Sequence, residues 1–333
     1  MTSPDFPRYA AVELGSGSFR LHVGRIEHGE LLLEATLAEP VRLAASFDED
    51  GSLCEAAMRR ALACLREFAL ALDAWRPQAV RAVATAAFGA ANPMARNAQL
   101  FLPAAERALR RPIECINGDE AGRLVYTGVA STLGDGDGGP RLVLDIGSAS
   151  TELVLGRGLQ VEQIESFPVG AVRQSLSFFA DGRIDAACFD AAVRSGRSRF
   201  AGKAPGERRW PLAWGACGTV RALAEIALED GFDGGRLTHA CLRELRRRFV
   251  DAGHVARIRL AWPAAARAPH LAGGLALLLA LVEECAIDEV VPAQAGLRVG
   301  ALWDLHRRAF VATRAAATPG AAQPRPPALA RLA

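Results

Sequence analysis

Asp145 ends an apolar run, Leu142-Val143-Leu144-Asp145, and a small-residue turn of Gly147, Ser148, Ala149 and Ser150 follows it. Glu152 stands just beyond the turn, and a second apolar run occupies Leu153 to Leu155. Strand, short Gly/Ser turn and strand make a β-hairpin. A turn of small residues leaves backbone N–H groups and hydroxyls uncovered, and such a concavity receives phosphate oxygens. A carboxylate at the strand end suits a hydrated Mg²⁺, which takes one or two carboxylates together with phosphate. An ordinary hairpin with a solvated acid satisfies the same pattern, so the motif alone leaves both readings open.

The same grammar occurs earlier. Ala11-Val-Glu13-Leu-Gly15-Ser16-Gly17-Ser18-Phe-Arg20-Leu-His-Val23 again places an acid between an apolar run and a Gly/Ser turn. An internal repeat bears directly on the fold. Two such hairpins facing each other across a cleft would grip one phosphorylated ligand. Gly215-Ala-Cys-Gly218-Thr219 is a third small-residue turn, leading from a strand into a helix. Helix N-termini offer free donors and the positive dipole end to anions. A plain tight turn with Thr219 as the cap fits equally.

The elements that must carry these turns read clearly in places. The first hairpin spans residues 10–25, and a further strand covers 31–37. Met58, Ala61, Leu62, Leu65, Phe68 and Leu72 recur at helical spacing within Glu55–Trp75. A strand at 80–85 leads to residues 86–92, and Asn92 and Pro93 open a helix running to Leu109. A strand at 113–116 and an Asn117-Gly118 turn precede a helix that begins with Asp119 and Glu120. Residues 134–140, rich in Gly and Asp, read as a domain boundary, giving units of 1–134 and 140–310. In the second unit, 166–173 reads as a loop, 185–200, 220–228, 238–250 and 272–285 as helices, and 212–216 and 287–291 as strands. The Ala/Pro-rich stretch 315–333 reads as a disordered tail.

At 333 residues, 50% hydrophobic and 23% charged, the chain can bury two cores. A net charge of +2 gives no nucleic-acid footprint, and Lys203 is the only lysine. Seven scattered cysteines without metal-ligand spacing point to reduced thiols in a cytosol. No signal-peptide pattern opens the sequence, and the apolar run 271–282 is too short to span a bilayer. The six histidines show no ligand spacing, and Arg243, Arg246, Arg247 and Arg248 form a basic helix face.

Taken in order, six segments resemble the exopolyphosphatase / guanosine pentaphosphate phosphohydrolase (Ppx/GppA) family. They are Glu13 to Arg20, Ala84 to Asn92, Ile116 to Val129, Asp145 to Leu153, Pro168 to Arg173 and Gly215 to Ala222. The resemblance covers roughly 10–305 and implies the short, two-domain form. The implied fold is α/β, with duplicated ribonuclease-H-like domains of the actin/Hsp70/sugar-kinase superfamily around an interdomain cleft. It also implies a homodimer and polyphosphate or guanosine pentaphosphate as ligand, while the charge and the short apolar run point to neither nucleic acid nor membrane as partner.

By that resemblance Gly15, Ser16, Gly17, Ser18 and Arg20 contact phosphate from one side, and Gly147, Ser148, Ser150, Gly218 and Thr219 from the other. Asp145 and Glu152 orient Mg²⁺ or the attacking water, with Glu13 as a further metal ligand. The chemistry is in-line attack of water on a terminal phosphoryl group. This chain departs from the family pattern at several positions. The column of the family's general base holds Ala121, and the nearest carboxylate is Glu120, one residue and about 100° of helix away. The phosphate-binding Arg column holds Phe88 or Gly89, Glu13 replaces an Asp, Ser148-Ala149 replaces Gly-Gly, and Gln294 stands near the last-loop Asp. Two functions follow: a hydrolase whose base has moved to Glu120, or a degenerate member that binds its ligand as a sensor or scaffold.

Overall fold

The computed structural model describes residues 6–43, 46, 52–85, 98–134, 138–203, 209–229, 231–258 and 268–317. The segment 86–92, with the Phe88 and Gly89 positions, lies outside the described residues, as do Trp262 and 318–333.

The first hairpin is β1 (Arg8–Leu14) and β2 (Phe19–Glu27), extended by β3 (Glu30–Glu39) into an antiparallel meander. Helix α1 (Glu55–Trp75) then returns the chain to β4 (Ala79–Ala84), which pairs parallel to β1. Helix α2 (Ala98–Leu109) leads to β5 (Glu114–Cys115), parallel to β4. The sheet order is β3-β2-β1-β4-β5. Helix α3 (Gly118–Leu133) follows, its first turn capped by the Asn117 side chain.

The second half repeats the plan. Strands β6 (Pro140–Ile146), β7 (Thr151–Arg157) and β8 (Gln160–Phe167) form the meander. Helices α4 (Ala171–Phe178) and α5 (Ala186–Phe200) precede β9 (Ala213–Gly215), which is parallel to β6. Then come α6 (Gly218–Glu229), β10 (Leu237–Thr238), α7 (His239–Ala252), α8 (Ala268–Glu284), β11 (Glu289–Pro292) and α9 (Leu297–Ala317). Read from β8, the order β8-β7-β6-β9-β11 reproduces the first sheet strand for strand, with β10 added at the edge. The fold is therefore the duplicated α/β architecture expected from the repeat.

Each sheet buries one face against its own helices. Leu65, Phe68 and Leu72 of α1 and Phe101 and Leu109 of α2 pack beneath β1 and β2. The apolar run of α8, buried from Leu271 to Val282, is the spine of the second core. Its all-round apolarity is that of a helix enclosed by others, here α4, α5, α6 and α7. The other faces are covered by crossed helices. Helix α3, from the first half, packs on β7 and β8, while α9, from the end of the chain, packs on β1 and β2. A third core joins them, including Leu124, Val125 and Val129 of α3 and Ala301 and Leu302 of α9. The two helices touch backbone to backbone: a Cβ on Gly300 would stand 1.8 Å from the Leu124 carbonyl oxygen.

Several elements differ from the sequence-based expectation. Of the expected loop 166–173, only 168–170 is irregular; β8 runs to Phe167 and α4 starts at Ala171. Residues 297–314, given no element by the sequence reading, are helical, and the expected tail begins inside α9, which continues to Ala317.

Candidate active site

The two hairpin turns are closed alike. Gly15 N–H donates to the Ser18 carbonyl at 3.2 Å, and Gly147 N–H donates to the Ser150 carbonyl at 2.9 Å. The turns meet tip to tip, for a Cβ on Gly17 would lie 2.4 Å from Ser148 Oγ. A larger residue at 17 would make the Ser148 hydroxyl turn away from the meeting point. A cleft of about 460 Å³ opens beside this meeting point. It is lined by Gly15, Ser16, Gly17, Ser18 and Arg20 from one side and by Gly147, Ser148, Ser150, Gly218 and Thr219 from the other. Glu13, Asp145 and Glu152 line it too.

Further contacts hold the second turn. Ala171 N–H and Val172 N–H at the start of α4 donate to the carbonyls of Gly147 and Ser148, so that helix end is spent on the turn rather than on a ligand. Gly170 is obligatory there, because a Cβ would stand 2.5 Å from the Ser148 carbonyl carbon. Thr219 Oγ1 donates to the Ile146 carbonyl at 3.1 Å, tying α6 to the strand that carries Asp145. At the α6 terminus Cys217 takes the amides of Val220 and Arg221. The amides of Gly218 and Thr219 have no partner among the described residues, and both residues line the cleft.

The register gives the site its electrical character. Asp145 is directly opposite Glu152 in the β6–β7 pair, and at the equivalent places of the β1–β2 pair Glu13 is opposite Arg20. One hairpin therefore presents an acid beside a base and the other presents two acids. Like charges directly opposite across a ladder destabilise it. Burial, then the neighbouring Glu13, raises Asp145 to about 6. Burial, then Asp145, raises Glu152 to about 8, although Ser150 and Ser166 donate hydrogen bonds to its carboxylate. Two hard oxygen donors beside a concavity shaped for phosphate fit the chemistry of a divalent cation such as Mg²⁺. Asp145 and Glu152 are the residues that could hold it, and among the described residues no group of three or more His, Cys, Asp or Glu side chains could hold a metal ion by itself. Glu13 is committed elsewhere, since Arg298 of α9 is ion-paired to it.

Arg298 and Arg221 were not legible as site residues, yet both line the cleft. Arg221 spans the carbonyls of Ala216 and Ala293 at 3.2 and 3.1 Å. Arg298 Nε donates to His22 Nε2 at 3.1 Å. Burial, followed by Arg298, Arg20 and Arg221, lowers His22 to about 3, so its ring is neutral and carries its proton on Nδ1. Arg20, Arg221 and Arg298 together place three cations around the three carboxylates.

Glu120 is the exception. Asn117, Gly118, Ala121 and Val125 form the cleft face of α3, and Glu120 is on another. Its carboxylate is gripped by Arg123 at 2.6 Å and by Arg81 at 2.7 Å. Arg81 also pairs with Glu114, and Asp304 of α9 binds both Arg81 and Arg123. The 100° step between residues 120 and 121 thus carries the carboxylate out of the cleft and into a network joining β4, β5, α3 and α9. The structure does not support Glu120 as a base. Arg123 first, with Arg81, lowers Glu120 to about 2 from 4.5. A carboxylate depressed on folding stabilises the fold above its unfolded value, and that stability is lost as pH falls through the folded one. Glu120→Gln is accordingly expected to cost about 1–3 kcal/mol at neutral pH and to flatten the loss of stability between pH 4.5 and 2. Urea midpoints across that range check both.

A family model for the Ppx/GppA phosphatase family matches residues 23–309. The chain belongs to that family. It is 37% identical over 302 residues to a Vibrio campbellii protein named guanosine-5'-triphosphate,3'-diphosphate pyrophosphatase, covering 90% of this chain and 59% of that one. A Vibrio vulnificus protein of the same name is 36% identical over 304 residues, with the same coverage. The chain thus spans less than two thirds of the length of these relatives. An exopolyphosphatase from Cytophaga hutchinsonii shares the fold with a TM-score of 0.79 at 21% identity, covering 90% of this chain and 98% of that one. An exopolyphosphatase-like protein of solved structure gives a TM-score of 0.79 at 25% identity, covering 92% of this chain and all of that one. The family match begins at Val23, so the first turn of this Ppx/GppA chain rests on its own geometry. No helix among the described residues is long and apolar enough to cross a membrane, and all seven cysteines are free.

Proposed function

We propose that this Ppx/GppA chain removes the terminal phosphate of a phosphoanhydride chain in the cleft, with guanosine pentaphosphate as substrate and inorganic polyphosphate as the alternative. The observation that carries this reading is the face-to-face pair of glycine turns with Asp145 and Glu152 directly opposite each other beside them. The names of the Vibrio relatives favour the guanosine nucleotide, and a cleft of about 460 Å³ is of a size that holds one. Its apolar wall, including Val125, Leu271 and Leu297, offers a seat away from the charges.

The residues divide the work. The unpartnered amides of Gly218 and Thr219 and the hydroxyls of Ser16, Ser18 and Ser148 receive the terminal phosphoryl oxygens. Arg20 and Arg221 neutralise charge spreading over those oxygens in a loose transition state. Asp145 and Glu152 orient the water in line with the breaking bond. Mg²⁺, when bound by Asp145 with the substrate phosphates, supplies charge neutralisation and a template for the reacting oxygens. Positioning and electrostatics do most of such catalysis, so the chemistry does not require a carboxylate on α3.

Ala121 favours the second reading, a protein that binds without turning over. Its methyl group occupies the cleft face of α3 where the family's base column falls. Ala121→Glu separates the two readings. Restoring a base there is expected to raise phosphate release from guanosine pentaphosphate by about 10²-fold, starting from a measurable wild-type rate. A wild type with no release at all, but with retained affinity, would favour the binding protein.

A further inference from the structure

A second cluster of arginines lies outside the cleft. Arg194 and Arg197 of α5 and Arg243 and Arg246 of α7 surround a groove of about 290 Å³ floored by Val193 of α5 and Leu279 of α8. Two acids, Asp190 and Glu283, also line it, and they are taken. Asp190 pairs with Arg246 at 2.5 Å, and Glu283, with Glu284, pairs with Arg197. Arg194 and Arg243 have no carboxylate partner among the described residues, and Arg243 reaches only His239 Nδ1 at 3.2 Å.

We propose that this groove is a second binding site for phosphoanhydride anions. With Arg197 and Arg246 neutralised by those acids, Arg194 and Arg243 leave two uncompensated guanidinium groups on one hollow, and an anion there would meet both charges. The planar fork of arginine matches the oxygens of phosphate in pairs. The hollow is of small-ligand size. It is also separate from the cleft. His270 and Leu271 of α8 line the cleft, and Leu279 and Glu283 of the same helix line the groove. At the rise of an α-helix those positions are about 12–20 Å apart along the axis. The occupant is then either a free anion or the far end of a chain whose near end is held in the cleft.

The test is calorimetric titration of the whole chain with inorganic tripolyphosphate, without metal. Wild type is expected to bind at two sites. The double variant Arg194→Ala/Arg243→Ala is expected to lose at least about tenfold in affinity at one of them, with phosphate release unchanged. Both arginines are exposed, so truncation leaves the fold intact, and Arg194→Glu/Arg243→Glu must weaken binding further. An unchanged titration in both double variants overturns the proposal, as does equally tight binding of polyglutamate. Arg20→Ala separates this site from the cleft. If it alters nothing, the reading of the cleft fails while the groove stands. Long-chain polyphosphate bound at one chain per protein identifies the far end of a shared chain, and two chains per protein identify a separate anion; either upholds the site.

Discussion

Asp145→Asn is expected to lower phosphate release by at least about 10³-fold and at the same time to make the metal-free protein more stable. The two effects have one cause. Asp145 is held near Glu13, and burial first, then Glu13, raises its proton affinity in the folded protein from 3.8 to about 6. A carboxyl raised on folding destabilises the native state wherever it is ionised, and stability grows as pH falls through the folded value. Asparagine keeps the shape and removes the charge, so the penalty disappears, a gain of about 1–3 kcal/mol at neutral pH. Denaturant midpoints in the presence of a chelator, beside the rate of phosphate release, measure both. A variant that is inactive and less stable would mean that Asp145 is held by favourable contacts rather than against repulsion.

Gly300→Ala is expected to have the largest effect on stability, with no loss of any polar group. The added Cβ would stand 1.8 Å from the Leu124 carbonyl oxygen and 3.0 Å from the Gly128 nitrogen. Both neighbours are backbone of α3 and cannot rotate away, so α3 and α9 must separate. The cost reaches or exceeds about 3 kcal/mol, a large part of the total for a protein of this kind. Gly128→Ala, whose Cβ would meet the Gly296 carbonyl oxygen at 2.2 Å, tests the same crossing from the other side. Unchanged urea midpoints in both would show that the helices are not pressed together as described. Because α3 carries the cleft face with Ala121 and α9 carries Arg298, the crossing sets the width of the site as well as the stability of the fold.

The hairpins were legible because they are local. A strand, a Gly/Ser turn and a strand are specified within about 15 residues, and the repeat of that grammar announced the duplication. The phosphate-turn residues from Gly15 to Thr219 were legible for the same reason, and the structure gathers them into one cleft. Arg221 and Arg298 were not. Arg221 is one arginine on an otherwise ordinary apolar helix and Arg298 one of several on α9, and only the crossing of α9 back onto β1 brings Arg298 beside Glu13 and His22. That crossing pairs residues nearly 300 positions apart, and no local pattern encodes it. Helix α9 itself went unread although Leu297, Ala301, Leu305 and Ala309 recur every four residues on its packed face, because two of the four are alanines and mark a core face weakly. Glu120 shows the limit of reading a column by proximity. It is adjacent in sequence to Ala121 and still points into a different environment, where Arg81 and Arg123 close around it.

The most direct measurement is phosphate release from guanosine pentaphosphate with Mg²⁺, wild type beside Asp145→Asn and Glu120→Gln. The site described here predicts release by wild type, its loss in Asp145→Asn, and a Glu120→Gln protein that is less stable but keeps its turnover when folded. Turnover abolished in folded Glu120→Gln, with Asp145→Asn still active, would contradict it and move the chemistry from the facing hairpins to α3.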